Sequence, residues 1–114
     1  MTAESIFQHH LQALGNNDLD EVMKDYSEAS ELWTPDGEFI GLDAISSFYS
    51  YAFTLFPKGQ TSLELKKLTA KGNKVYVNWT ADSPVVSVPF ATDCFEIENG
   101  KITWQTTAFQ MVQK

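Results

Sequence analysis

Asp93-Cys94-Phe95-Glu96-Ile97-Glu98-Asn99-Gly100-Lys101-Ile102 is the stretch on which the fold turns. Asn99-Gly100 suits a two-residue type I′ turn, which needs φ > 0 at both central positions and matches the twist of the strands it joins. Outward from it the chain reads as two long antiparallel strands, Ser87 to Glu98 and Lys101 to Val112. A second hairpin precedes them, with Leu63 to Lys71 and Lys74 to Asp82 on either side of Gly72-Asn73. Within it Val75, Val77 and Trp79 alternate with Tyr76, Asn78 and Thr80, giving one apolar and one polar face. The second half of the chain is therefore a twisted antiparallel sheet.

The same period of two exposes a misplaced charge. Asp93 shares a face with Ala91, Phe95 and Ile97, while Glu96 falls on the other side. A carboxylate among apolar neighbours is costly unless it is paired, hydrogen-bonded, protonated or wetted. Asp93 thus points to a pocket, or to a buried polar group that pins the sheet.

The first half is helical. Phe7, His10, Leu11 and Leu14 follow the i, i+3, i+4, i+7 spacing of a helix from Ala3 to Leu14, capped by Thr2 and ended by Gly15-Asn16-Asn17. Asp18, with Glu21 three residues on, opens a second helix carrying Leu19, Val22, Met23 and Tyr26 on one stripe. Leu32-Trp33-Thr34 and Glu38-Phe39-Ile40 read as short strands around the Pro35-Asp36-Gly37 turn. A third helix, Ala44 to Phe56, is capped by Asp43 and stopped by Pro57. Its apolar face, with Ile45, Phe48, Tyr49, Ala52, Leu55 and Phe56 and widened by Tyr51 and Phe53, demands a large cover. Helices first and strands after make the class α+β, in one domain over residues 1–114.

A net charge of −7 disfavours nucleic acid and anionic membranes as partners. One cysteine, Cys94, allows no internal disulfide, and a buried inert thiol is expected there. No apolar run is long enough for a membrane span, and the first residues lack the basic and apolar regions of a signal peptide, so a cytoplasmic protein is expected. The sequon Asn78-Trp79-Thr80 is then coincidental.

The order of elements resembles the nuclear transport factor 2-like superfamily, and most of all its polyketide cyclase (SnoaL-like) branch. Asp18 to Tyr26, Leu32-Trp33-Thr34-Pro35-Asp36-Gly37, Gly41-Leu42-Asp43-Ala44-Ile45 and Asp93 to Ile102 carry the resemblance, which covers nearly the whole chain. It implies a cone: three N-terminal helices packed in a curved, mainly antiparallel sheet, with an apolar cavity at the open end and a homodimer formed through the sheet. The superfamily includes ketosteroid isomerases, cyclases, lyases, epoxide hydrolases and proteins without catalysis, so fold does not give function. By position Asp93 matches the aspartic acid of the isomerase oxyanion hole, and His10 falls where its tyrosine would be. The isomerase base is replaced by Thr34, which cannot do that proton transfer, and Asp36 two residues on suits a turn.

Two readings follow. In one, the chain is a small cofactor-free enzyme acting by proton transfer on a small apolar carbonyl or hydroxyl compound. Asp93 is then the acid or hydrogen-bond donor and His10 its partner, with Trp33, Tyr49, Phe95 and Trp104 lining the pocket. In the other it is a ligand-binding or dimerisation module without catalysis. His10 is also readable as a packed core residue, and His9, about 100° around the helix, as solvent-facing. No metal site is expected, because two ligands on one helical face need i, i+4 spacing.

Overall fold

The computed structural model describes residues 2–114. Three helices, α1 (Ala3–Gly15), α2 (Leu19–Met23) and α3 (Leu42–Leu55), lie against one six-stranded sheet. Its strands are β1 (Glu31–Thr34), β2 (Gly37–Ile40), β3 (Ser62–Lys71), β4 (Lys74–Asp82), β5 (Val86–Glu98) and β6 (Lys101–Gln113). The order across the sheet is β2-β1-β6-β5-β4-β3. Every neighbouring pair is antiparallel except β1 and β6, so the sheet is mixed. It is curved and open, as the cone expected from the sequence requires.

Both hairpins form as read. Asn99 and Gly100 have φ of 52° and 76°, the left-handed pair that a type I′ turn needs. Thr2 and Ser5 close a reciprocal capping box at the start of α1. Asp18 caps α2 by accepting from the Glu21 amide, but α2 stops at Met23 and Tyr26 lies beyond it. Asp43 does not cap α3. The helix begins after Gly41, whose φ of 88° turns the chain where its amide bonds the Ser30 carbonyl, and Asp43 sits in the first turn. The cover over α3 is also narrower than its composition suggests: Ile45 and Tyr49 are buried, whereas Tyr51 is 65% exposed.

The main core joins Ile6, Phe7 and Ala13 of α1 to Ile45 of α3 and to Val75, Val77, Phe95, Ile97 and Ile102 of the sheet's inner face. A second, smaller cluster of Ala81, Val88 and Ala91 packs with Phe56, Phe109 and Met111, and Trp79 belongs to both. The seam between the two is where Asp93 lies.

Candidate functional site

β5 keeps strict alternation over the decisive stretch. Ala91, Asp93, Phe95 and Ile97 are all buried on the inner face, and the residues between them are not. Asp93 therefore looks inward, as the sequence indicates. Three donors meet its carboxylate there: Trp79 Nε1 and Thr107 Oγ1 reach Oδ1 at 3.0 and 2.8 Å, and Gln105 Nε2 reaches Oδ2 at 3.0 Å. Burial pushes the Asp93 pKa up, and these three hydrogen bonds pull it back in part. Among the buried polar side chains Asp93 keeps the largest exposure, 9%.

Behind Asp93 the polar chain continues inward. Gln105 Oε1 accepts from the Tyr26 hydroxyl, whose oxygen is 2.7 Å from that of Tyr49. The Tyr49 hydroxyl is 3.5 Å from His10 Nε2. Tyr26, Tyr49, Gln105 and His10 are each at most 4% exposed. Burial raises both tyrosine pKa values and pushes His10 down to about 3, so its ring is neutral at ordinary pH. His10 makes edge contacts with Tyr26, Tyr49 and Phe95, and its Nδ1 has no partner.

This geometry divides the residues singled out from sequence. Asp93, His10, Tyr49 and Phe95 share the inner face, but His10 does not touch Asp93; Gln105 and Tyr49 stand between them. Trp33 and Trp104 lie on the outer face, packed edge to face 5.5 Å apart, and take no part in the interior. The reason is a β-bulge. Glu96 pairs with Trp104 and Ile97 with Ile102, which leaves Thr103 unopposed. The alternation of β6 slips by one residue there, sending Trp104 outward and bringing Gln105 and Thr107 inward. Thr34 is used by its turn: its hydroxyl donates to the Gly37 carbonyl and accepts from the Asp36 amide.

His9 is not simply solvent-facing. Its ring is 39% exposed, yet Nδ1 bonds the Asp25 carboxylate at 2.8 Å and Nε2 bonds Glu21 at 2.8 Å. Two acceptors on opposite nitrogens require the imidazolium. The Glu21 and Asp25 hydrogen bonds raise the His9 pKa. A raised histidine pKa contributes stability that is complete below its unfolded value, about 6.5, and is lost as pH climbs through the folded value. Wild-type protein is therefore expected to lose no more than about 1 kcal/mol over that rise, since the pair is screened by solvent. His9→Gln should flatten this part of a urea-melt pH profile, and an unchanged slope would refute the clamp.

Two surface concavities among the described residues lie elsewhere. One is at the α1–α2 corner beside Asn16, Asp18 and Lys58; the other is on the outer sheet face beside Tyr76, Cys94 and Trp104. Neither reaches Asp93. No group of three or more acidic, histidine or cysteine side chains able to hold a metal occurs among the described residues.

The SnoaL-like domain matches residues 7–105. The chain belongs to the SnoaL-like family. Within the nuclear transport factor 2-like superfamily, this SnoaL-like protein superposes on an NTF2-like protein of unknown function from Cytophaga hutchinsonii. That match has a TM-score of 0.78 at 16% identity, covering 96% of this chain and 91% of the other. A candidate ketosteroid isomerase from Kribbella flavida gives 0.77 at 12% identity, covering 98% and 80%. A candidate polyketide cyclase from Sinorhizobium meliloti gives 0.76 at 19% identity, covering 90% and 93%. At these identities the likeness is one of fold. No curated protein matches the sequence. In the SnoaL-like chain, no helix among the described residues is long and apolar enough to cross a membrane.

Sequence reasoning missed Gln105 and Thr107 and took Tyr26 for an apolar stripe residue. A signal for Tyr26 existed: a tyrosine in an apolar position must bring its hydroxyl to a partner. For Gln105 there was none, because the bulge that turns it inward leaves no mark at Thr103.

Proposed function

We propose that the seam beside Asp93 admits a small apolar carbonyl or hydroxyl compound, with which Asp93 exchanges a proton. The observation that supports this reading is a hydrogen-bonded carboxylate on the boundary of two apolar clusters. Phe56, Phe109 and Met111 stand on one side of that boundary, and Phe95 and Tyr49 on the other. A pKa raised by burial brings a carboxyl closer to the range where it gives and takes protons readily. Trp79, Thr107 and Gln105 would hold Asp93 in place while the apolar walls bind the ligand by burial. The chemistry calls for no cofactor. His10 acts at most from behind, through Tyr49 and Gln105. The test is a panel of small cyclic enones, lactones and epoxides followed by NMR. Asp93→Asn should reduce turnover of any compound converted by at least about a hundredfold. Equal turnover by a folded Asp93→Asn protein would end this reading.

One observation favours a binding module instead: the Thr34 hydroxyl is engaged in its own turn, and Trp79, Thr107 and Gln105, the described side chains bonded to Asp93, all donate to it. Thermal stabilisation by apolar compounds, with no turnover across the panel, would support that alternative.

A homodimer through the outer sheet face belongs to the same proposal. Trp33, Phe90, Tyr76 and Trp104 lie across the middle of that face. Lys67, Lys71 and Lys74 border it on the β3–β4 side, and Glu31 and Glu38 on the β1–β2 side. A second copy packed face to face about a twofold axis parallel to the strands would lay the basic border of one over the acidic border of the other. Light scattering on Trp104→Glu is the check: the variant should be monomeric where wild type is dimeric. A monomeric wild type would rule the dimer out.

A further inference from the structure

Gln105 stands between an acid and two hydroxyls. Its Nε2 faces Asp93 Oδ2 at 3.0 Å, its Oε1 accepts from Tyr26, and Tyr49 Oη lies 3.3 Å from Nε2 and 3.4 Å from Oε1. A primary amide donates at one end and accepts at the other, and it exchanges the two only by turning through 180°. Asp93 Oδ1 is already filled by Trp79 and Thr107. A proton arriving at Asp93 from solvent therefore binds Oδ2, where it would meet the amide's own hydrogens.

We propose that Gln105 is a protonation relay: when Asp93 takes up a proton the amide turns over, and the turn resets the Tyr26 and Tyr49 hydroxyls and the hydrogen bond seen by His10. With Asp93 ionised, Tyr26 donates to Gln105 Oε1 and Tyr49 donates to Tyr26, 2.7 Å away. His10 then carries its proton on Nε2 toward the Tyr49 oxygen and leaves Nδ1 as a bare lone pair. The partnerless Nδ1 agrees with this state, because a buried orphan acceptor is cheaper than a buried orphan N–H. With Asp93 protonated, Gln105 Oε1 accepts from Asp93 and Nε2 donates to Tyr26. Tyr26 must then donate to Tyr49, and Tyr49 to His10 Nε2, so the neutral ring gives up its Nε2 proton and carries one on Nδ1 instead, the orphan N–H that the ionised state avoids. One proton is gained, at Asp93; the Tyr26 and Tyr49 protons only change direction, and the ring loses one proton to solvent and takes one from it through local opening, with no net change.

The titratable groups on this chain come from every element around it: Asp93 from β5, His10 from α1, Tyr26 from the segment after α2 and Tyr49 from α3. Asp25 and His9, next in sequence to Tyr26 and His10, act on them through space. Gln105, from β6, is the neutral link.

The test follows the His10 ring nitrogens and the Asp93 carboxyl carbon by NMR, residue by residue, from about pH 3 to about pH 9, spanning the ordinary carboxylate and imidazole ranges. In wild type, His10 Nε2 should pass from proton-bearing to proton-accepting as Asp93 is protonated. Asp93→Asn supplies the deciding comparison. Its amide keeps an oxygen for Trp79 and Thr107 and presents Nδ2 to Gln105, so His10 should show the acid-state pattern at every pH. Gln105→Met should leave Asp93 titrating and His10 unresponsive. An Asp93→Asn protein with the wild-type alkaline pattern overturns the relay. So does a His10 response that follows the titration of His9 rather than that of Asp93.

Discussion

Asp93→Leu is expected to cost about 2–6 kcal/mol of folding stability, and Asp93→Asn only about 1 kcal/mol. The leucine fills the space but strands Trp79 Nε1, which can only donate, and whichever end of the Gln105 amide faces it, each worth about 1–3 kcal/mol when buried without a partner. The Thr107 hydroxyl can swing to another acceptor and adds little. Asparagine keeps an oxygen for Trp79 and Thr107, and the Gln105 amide can meet its new N–H by turning over. Urea unfolding with equal m-values for the two variants measures the gap. Variants of equal stability would show that the carboxylate does not organise the interior, and would remove the polar chain from any account of the site.

Phe95→Ala should be comparably severe, at about 3–5 kcal/mol. Phe95 is 2% exposed and joins the helices to the sheet: its ring lies 5.4 Å from that of Phe7 and 5.6 Å from His10. Truncation removes the packing surface of both and opens a void beside His10, a side chain that stays neutral because it is dry. Two readouts are expected together, a lower urea midpoint and a His10 pKa that moves up toward the ordinary imidazole value as water enters. A destabilised protein whose His10 stays neutral down to the same pH would mean that some other wall keeps the ring dry.

Much of this architecture was legible in the chain, for reasons that differ by element. Asn99-Gly100 allows one turn geometry, so both strands and their pairing next to the turn, up to Ile97 and Ile102, follow from it. The inward aim of Asp93 is legible because nothing breaks the period of two between Ala91 and Glu96. Trp104 is misleading because Thr103 inserts one residue into the pairing, and a count from Ile102 then lands on the wrong face. The helical wheel gives the direction of His9 but not what α2 brings to meet it, which depends on a tertiary contact between separate segments. Asp43 carries the right chemistry for a cap, yet Gly41 precedes it and turns the chain earlier, in contact with the Ser30 carbonyl. The candidate site was half visible: the acid follows from local pattern, and its three donors come from two other strands.

The unopposed Thr103 has a consequence for how such a protein could change. Drawing that threonine into the ladder opposite Glu96 would slide the rest of β6 by one place and roll it over, driving an indole into the middle of the molecule and an amide out to water. The polar interior and the tryptophan exterior are thus two sides of one choice of pairing. A relative one residue shorter at this point would keep the indole outside and the amide inside, on a straighter strand.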